Sequence, residues 1–252
     1  MWVDTHAHVN FKAFAQDSRE VVDRAVKAGV EKIIVVGADL ESSKRAVEMA
    51  EQHPNLFASV GIHPHHTRSI KSIKSIKKLA EHERVVAIGE IGLDYHVYKA
   101  TRYKKQETNK DLQKELFEAQ LGIARELKKP VIIHSRECGE EVLGIARGAQ
   151  GVFHCFGGSK KYLKRILEAG FYVGFTGQIT YVPDRAEVTR EVPLERLLVE
   201  TDCPYMPPDR ENRRSEPRDV IIIGQFQAQL RGVAESEVAQ ATTANAEKLF
   251  GI

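Results

Sequence analysis

Short apolar runs in this chain keep ending on a residue that can bind a metal ion. Val85-Val86-Ala87-Ile88 leads to Glu90, Val131-Ile132-Ile133 to His134, Val152-Phe153 to His154 and Leu197-Leu198-Val199 to Asp202, and the chain opens on Trp2-Val3-Asp4-Thr5-His6-Ala7-His8. In an extended strand alternate side chains share a face, so His6 and His8 project together with room for one cation between them. Strands that carry a polar residue at the carboxyl end pool those residues when they all point the same way, which is the arrangement of a parallel barrel. The pattern predicts an α/β protein, a (β/α)8 TIM barrel with its chemistry on one face.

A chain of 252 residues matches one such barrel, so residues 1–252 are read as a single domain. The formal charge of +2 excludes a polycationic arm, and any nucleic-acid contact has to come from a local patch. Cys138, Cys155 and Cys203 are too few and too scattered for a disulfide framework or a CxxC zinc motif, which points to a reducing compartment. No basic-then-apolar leader opens the sequence, and no run reaches the roughly 18 uncharged apolar residues of a spanning helix. The expectation is a soluble, cytoplasmic protein without a membrane partner, a monomer with oligomerisation left open.

Strands and helices alternate along the chain. Asp17 or Ser18 can cap a helix that runs to about Ala28 and stops at Gly29, and Lys32–Val36 reads as a buried strand followed by a helix near Glu41 to Gln52. Leu56 to Gly61 is a third strand, with Ile62-His63-Pro64-His65-His66 at its carboxyl end. His63 and His65 are the candidates there for substrate contact, and His66 is read as surface. Ser69 to Lys78 repeats a Ser-Ile-Lys triplet; on a helix its apolar stripe drifts slowly while the lysines stay outside, as an ordinary solvated face.

Glu90 is the only acidic residue between Val85 and Leu93, and a lone carboxylate in an apolar run needs a partner, for which metal is the obvious choice. Asp94 could hold a histidine ligand or cap the following loop. The basic segment Lys99 to Lys110 falls on the presumed active face, as a phosphate contact or a lid, before a long helix from about Thr108 to Lys128. Arg136 could reach a phosphate oxygen or pair with Glu137 or Glu140. Gly157-Gly158-Ser159 opens a helix near Lys160 and is able to hold an anion or to make an ordinary turn. By alternation His154 faces inward and Cys155 outward, and the same parity separates Asp202 from Cys203. In the loop after Asp202, Tyr205 could stack a base and Arg210, Arg213 and Arg214 could hold phosphates, or the segment closes the barrel. Helices near Asp219 to Leu230 and Ser236 to Leu249 finish the chain.

Four histidines and two carboxylates are more than one tetrahedral ion uses, whereas two divalent ions (Mg, Mn or Zn) sharing Glu90 use them all. One ion takes His6, His8, Asp202 and an oxygen of Glu90; the other takes His134, His154 and the second oxygen. Such a pair polarises a phosphoryl or carbonyl oxygen and drives a bridging water toward hydroxide, with Asp202 both ligand and proton acceptor.

The blocks Val3-Asp4-Thr5-His6-Ala7-His8, Gly61-Ile62-His63-Pro64-His65, Gly89 to Tyr95, His134-Ser135-Arg136, His154 to Gly158 and Glu200 to Tyr205 resemble the signatures of the TatD family of metal-dependent deoxyribonucleases, in order and across almost the whole chain. The resemblance implies a barrel hydrolase of the amidohydrolase superfamily, a divalent-metal-dependent exonuclease that trims single-stranded DNA from its 3′ end. It implies metal ligation by His6, His8, Glu90, His134, His154 and Asp202, and a place for His63 near the scissile phosphate. The segment after Asp94 is longer and more basic than the family pattern, and Arg213-Arg214-Ser215-Glu216-Pro217 replaces a more usual Arg-Asn-Glu-Pro; both bear on substrate preference.

Two rival readings keep the fold. A TatD-like barrel with the same metals could cleave esters, as in release of D-amino acids from tRNA; without a lysine in the Glu90 strand, a carbamylated-lysine amidohydrolase is disfavoured. A non-catalytic nucleic-acid-binding barrel fits less well, because all six ligand positions are filled.

Overall fold

The computed structural model describes residues 1–97, 109–209 and 213–252. Eight strands follow one another in a single parallel sheet: β1 (Trp2–Ala7), β2 (Val30–Val36), β3 (Leu56–Val60), β4 (Val85–Asp94), β5 (Val131–Arg136), β6 (Gly151–Phe153), β7 (Tyr172–Phe175) and β8 (Leu197–Val199). Each strand pairs with the next in sequence, and a parallel bridge between Ala7 and Cys203 joins the last to the first. The expected (β/α)8 barrel is therefore the observed one. Its helices are α1 (Ser18–Ala28), α2 (Leu40–Gln52), α3 (Ile73–Ala80), α4 (Lys110–Leu127), α5 (Glu141–Ile145), α6 (Lys160–Glu168), α7 (Pro183–Arg190), α8 (Val220–Arg231) and α9 (Glu235–Phe250).

Strand alternation sorts the apolar residues into two layers. Val3, Ile34, Ile132, Val152 and Leu198 belong to one buried cluster inside the barrel, which the end of α9 joins through Ala246, Leu249 and Phe250. Their neighbours Trp2, Ile33, Ile133, Phe153 and Val199 belong to a second cluster between strands and helices. His134 and His154 each stand two residues beyond an interior residue, so they continue the inward face at the mouth. On β1 a register shift between Asp4 and Ala7 resets the parity, which brings His6 and His8 to that same face.

Several local expectations change. Asp17 occupies the cap position of α1 without capping it, because its carboxylate is held by Arg214 at 2.6 and 2.9 Å. The cap of α2 is Asp39, in a reciprocal box with Ser42. The sequence reading placed no helix at α7, where Pro183 acts as a starter at the first turn rather than a breaker.

The Ser-Ile-Lys segment departs most. Pro64–Ser72 winds as a 3₁₀ helix, broken once at His66, before α3 begins at Ile73. A 3₁₀ helix has three residues per turn, so a triplet repeat does not drift. Ile70 and Ile73 pack against the core and Ile76 is buried in it.

Of the basic segment, Lys99, Arg102, Lys104 and Lys105 lie outside the described residues, as do Thr108 and Arg210. Among the described residues no helix is long and apolar enough to cross a membrane.

Candidate metal centre

The six predicted ligand residues meet at the carboxyl ends of β1, β4, β5, β6 and β8, with Glu90 in the middle. Its two carboxylate oxygens face different neighbours. Oε2 lies 3.6 Å from His6 Nε2 and 3.7 Å from His8 Nε2. Asp202 Oδ1 completes that group, 3.6 Å from His6 Nε2 and 3.4 Å from His8 Nε2, and the two Nε2 atoms are 3.1 Å apart. Oε1 lies 2.7 Å from both His134 Nδ1 and His154 Nε2, which are 3.2 Å from each other.

The donor chemistry fits divalent cations. A tetrahedral ion with ligands at about 2.0 to 2.1 Å separates them by about 3.3 to 3.4 Å, and the spacings of His6 Nε2 and His8 Nε2 from each other, from Glu90 Oε2 and from Asp202 Oδ1 fall from 3.1 to 3.7 Å. His8 Nδ1 is 2.9 Å from the Val36 carbonyl; donating to it leaves the Nε2 lone pair of the neutral ring toward the centre. Nδ1 of His6 and Nδ1 of His154 are buried without a hydrogen-bond partner, while Nε2 of both rings faces the Glu90 carboxylate, the atoms through which they could hold a cation. An uncompensated buried carboxylate costs several kcal/mol, and here Glu90 and Asp202 lie together in the mouth.

The same crowding sets protonation. Burial would raise the Glu90 carboxyl, but the surrounding histidines win and hold it well below its usual range. Asp202 is lowered too, its desolvation outweighed by His8 and His6. Desolvation keeps His63 well below the usual histidine range despite Glu90. For His154 the opposite holds: burial is overcome by Glu90 and Glu200, and the ring is raised well above. These proton sites coincide with the donor atoms, so cation binding and proton release are linked.

Around the six sits a set of supports. Asp94 Oδ2 is 3.2 Å from His134 Nε2 and 2.8 Å from His65 Nε2, while its Oδ1 accepts from the His96 amide, so it serves both anticipated roles. Gly92, at φ +140°, lets β4 pass this close, since a Cβ there would meet the His134 carbonyl oxygen. His63 Nδ1 accepts the His65 amide, which puts its proton on Nε2, 3.6 Å from Glu90 Oε1.

Asp4, Thr201 and Glu200 are functional supports that the sequence reading missed. Asp4 accepts hydrogen bonds from the Thr201 amide at 3.0 Å, the Thr201 hydroxyl at 2.6 Å and the His6 amide at 3.2 Å. Burial pushes its carboxyl up to about 8, against those bonds. Glu200 accepts the Cys155 amide at 2.5 Å and stands 3.6 Å from His154 Nδ1. The signal for both was an acidic residue within an apolar run, two positions from a candidate ligand.

Other expectations resolve differently. Asp202 and Cys155 take left-handed backbone, φ 53° and 44°, beyond the ends of β8 and β6, so strand parity does not govern them. Cys155 Sγ lies 3.5 Å from Met206 Sδ and 3.6 Å from Thr176 Oγ1 rather than facing away. Arg213 is engaged with Asp219 and Asp209, and Arg214 with Asp17 and Glu216, so both carry carboxylate partners from the chain itself. Tyr205 on that loop is 52 % exposed. Ser159 caps α6 through the Tyr162 amide and lines a cavity of about 310 Å³ with Ser135, Glu137, Glu140 and Gly157. Arg136 is exposed at the end of β5, near Glu137, which pairs with His96, and Glu140, which pairs with Arg165.

A parallel barrel with histidines and carboxylates converging on a central glutamate at its mouth defines a metal-dependent hydrolase. The chain belongs to the TatD family: the family model described as TatD related DNase matches residues 3–251. It is 39 % identical to an uncharacterized metal-dependent hydrolase, YabD, of Bacillus subtilis, with all of both chains covered. It is 36 % identical to the 3′-5′ ssDNA/RNA exonuclease TatD of Citrobacter rodentium, over 99 % of this chain and 97 % of the relative. The crystal structure of YjjV, a TatD homolog from Escherichia coli, superimposes with a TM-score of 0.88 at 30 % identity, over 100 % of this chain and 98 % of that one.

Proposed function

We propose that this protein is an exonuclease that hydrolyses phosphodiester bonds of single-stranded DNA from the 3′ end, using two divalent cations that share Glu90. The observation that carries the reading is the division of labour on that carboxylate: Oε2 faces His6 and His8, which in turn face Asp202, and Oε1 faces His134 and His154. The TatD relatives named as single-strand exonucleases support the substrate class.

Cations in these positions neutralise phosphoryl oxygens and acidify water. The chain's own residues do the rest. Asp202, held as a carboxylate beside His8 and His6, takes the proton of the attacking water on the carboxylate oxygen that does not face those rings. His63, kept neutral with its proton on Nε2, donates to a non-bridging phosphate oxygen near Glu90. His65 and Asp94 fix the His63 and His134 rings. Tyr205, exposed on the proline-stiffened loop, stacks the terminal base; Arg136 and Ser159 line the rim where the strand's phosphates pass.

The test is digestion of single-stranded oligonucleotides labelled at the 3′ or the 5′ end with Mg2+, Mn2+, Zn2+ or EDTA, with Asp202→Asn as the blank. The expected result is a metal-dependent ladder shortening from the 3′ end, absent in EDTA and in the variant. An intact oligonucleotide under every metal overturns the proposal and makes charged tRNA the next substrate to try.

A further inference from the structure

The segment from Pro64 to Ala80 contains five cations, Arg68, Lys71, Lys74, Lys77 and Lys78, and no acidic residue, in a chain that carries 35 Asp and Glu. Without these five the chain would be net acidic. Lys77 is taken by Glu126 at 2.6 Å. Among the described residues Arg68, Lys71 and Lys74 have no carboxylate partner, and all three are exposed.

The winding decides what these three can do. On an α-helix, residues three apart step around the axis; on a 3₁₀ helix they lie one above the other, about 2.0 Å of rise per residue and so about 6 Å per triplet. Arg68 and Lys71 fall in the 3₁₀ stretch after its break at His66, and Lys74 lies in the first turn of α3. Ile70, Ile73 and Ile76 turn to the core, which holds the cations on the outer edge. On the 3₁₀ stretch the rise of about 6 Å from Arg68 to Lys71 is comparable with the spacing of successive phosphates along a single strand, and Lys74 follows one triplet further on in α3. The first turn of α3 has no acidic residue, so the positive end of the helix adds to the row instead of being neutralised by it. The segment also starts in the centre itself: His63 approaches Glu90, and His65 pairs with Asp94.

We propose that Arg68, Lys71 and Lys74 form a rail that holds the phosphates of a single strand of nucleic acid as it leaves the histidine–carboxylate centre over the β3 side of the barrel rim. The rail rests on the nucleic-acid reading of the centre given above. An ordinary solvated face mixes signs and pairs its charges along the helix, as Lys44 does with Glu41 on α2 and Lys164 with Glu168 on α6. This edge does neither.

The experiment compares R68Q/K71Q/K74Q with a control, K27Q/K164Q/K248Q, that removes three exposed lysines from α1, α6 and α9. Both are made in the Asp202→Asn background, and binding of a labelled single-stranded oligonucleotide of about 15 nucleotides is followed by anisotropy across a salt series. The rail variant is expected to bind about tenfold more weakly at low salt, with the slope of log K against log salt reduced by about 2, from about 0.7 for each lost phosphate contact. The control is expected to bind like its parent. Equal binding and equal slopes in the two triple variants overturn the rail. If the unaltered enzyme digests the oligonucleotide while rail and control variants bind alike, the rail fails and the nuclease stands. If no metal supports digestion but binding still depends on the three cations, the rail stands and the nuclease reading falls. A parent that binds no oligonucleotide at all defeats both.

Discussion

The two sides of Glu90 are built by different means. On the Oε2 side the donors are spaced by backbone. His6 and Asp202 are tied where the barrel closes: the Asp202 amide donates to the His6 carbonyl at 2.8 Å, the His8 amide to the Cys203 carbonyl at 2.9 Å, and Asp4 clasps Thr201 across the same seam. On the Oε1 side the donors are oriented by other side chains, Asp94 for His134 and Glu200 for His154, and the rings draw in to 2.7 Å from the carboxylate. The His134 side chain is also 17 % exposed, against 0 % for His6. A backbone seam gives a site of fixed dimensions. Side-chain supports give one that adjusts, and the comparison predicts that the seam side binds its cation more tightly and selectively, and the other side more loosely.

The largest effect is expected from Glu90→Gln, which removes the charge common to both sides. Cation stabilisation worth about 4 kcal/mol of barrier would be lost, about a thousandfold in kcat/KM, and elemental analysis after dialysis should find both sites depleted. Depletion of one site alone would mean that Glu90 does not bridge. Asp202→Asn should abolish turnover as well, with metal content falling mainly on the seam side, because the Asp202 ion-pair distances are to His6 and His8, at 3.6 and 3.4 Å. Near-normal turnover in that variant would remove Asp202 from its proposed role.

The contrast between the sides also explains what could be read in advance. The eight-strand barrel and the convergence of His6, His8, Glu90, His134, His154 and Asp202 were legible because four of these residues follow apolar runs and His6 and His8 alternate near the end of the first strand, both local properties of sequence. Asp4 and Glu200 were not read, since their partners lie across the chain: Asp4 meets Thr201, 197 residues away. Sequence offers no register for such a contact until the barrel has closed. The Ser-Ile-Lys segment is helical as expected but in two windings: its period of three suits the 3₁₀ helix that runs to Ser72 and only approximates the α-helix that begins at Ile73. Arg214 looked like a free cation because nothing local shows that Asp17 awaits it.

A smaller and one-sided effect is expected from Asp94→Asn. The variant keeps the shape but loses the carboxylate that orients His134 and His65, and its partner histidines hold that carboxyl far below the usual range against the desolvation of the site. Affinity for the second cation should fall about 10- to 100-fold, as titration with Mn2+ would report, with the first cation unaffected. Equal losses at both sites would erase the distinction between seam and side-chain support.

The finest test of the seam is Asp4→Asn. Burial raises the Asp4 carboxyl from its usual 3.8 to about 8, so the folded protein keeps a proton that the unfolded chain releases. Stability from this group is full below the unfolded value and declines as pH rises through about 8. Asparagine can accept the Thr201 and His6 amides through its oxygen and donate to the Thr201 hydroxyl, and it does not ionise. At neutral pH the variant should therefore unfold within a few degrees of the parent, a difference of about 1 kcal/mol. In alkaline solution the order should reverse, with the parent's thermal midpoint falling while the variant's stays level. A variant that instead becomes worst in alkali would show that the clasp needs a charged carboxylate, and that the seam is held by electrostatics rather than by a neutral hydrogen-bonded fastening between β1 and the end of β8.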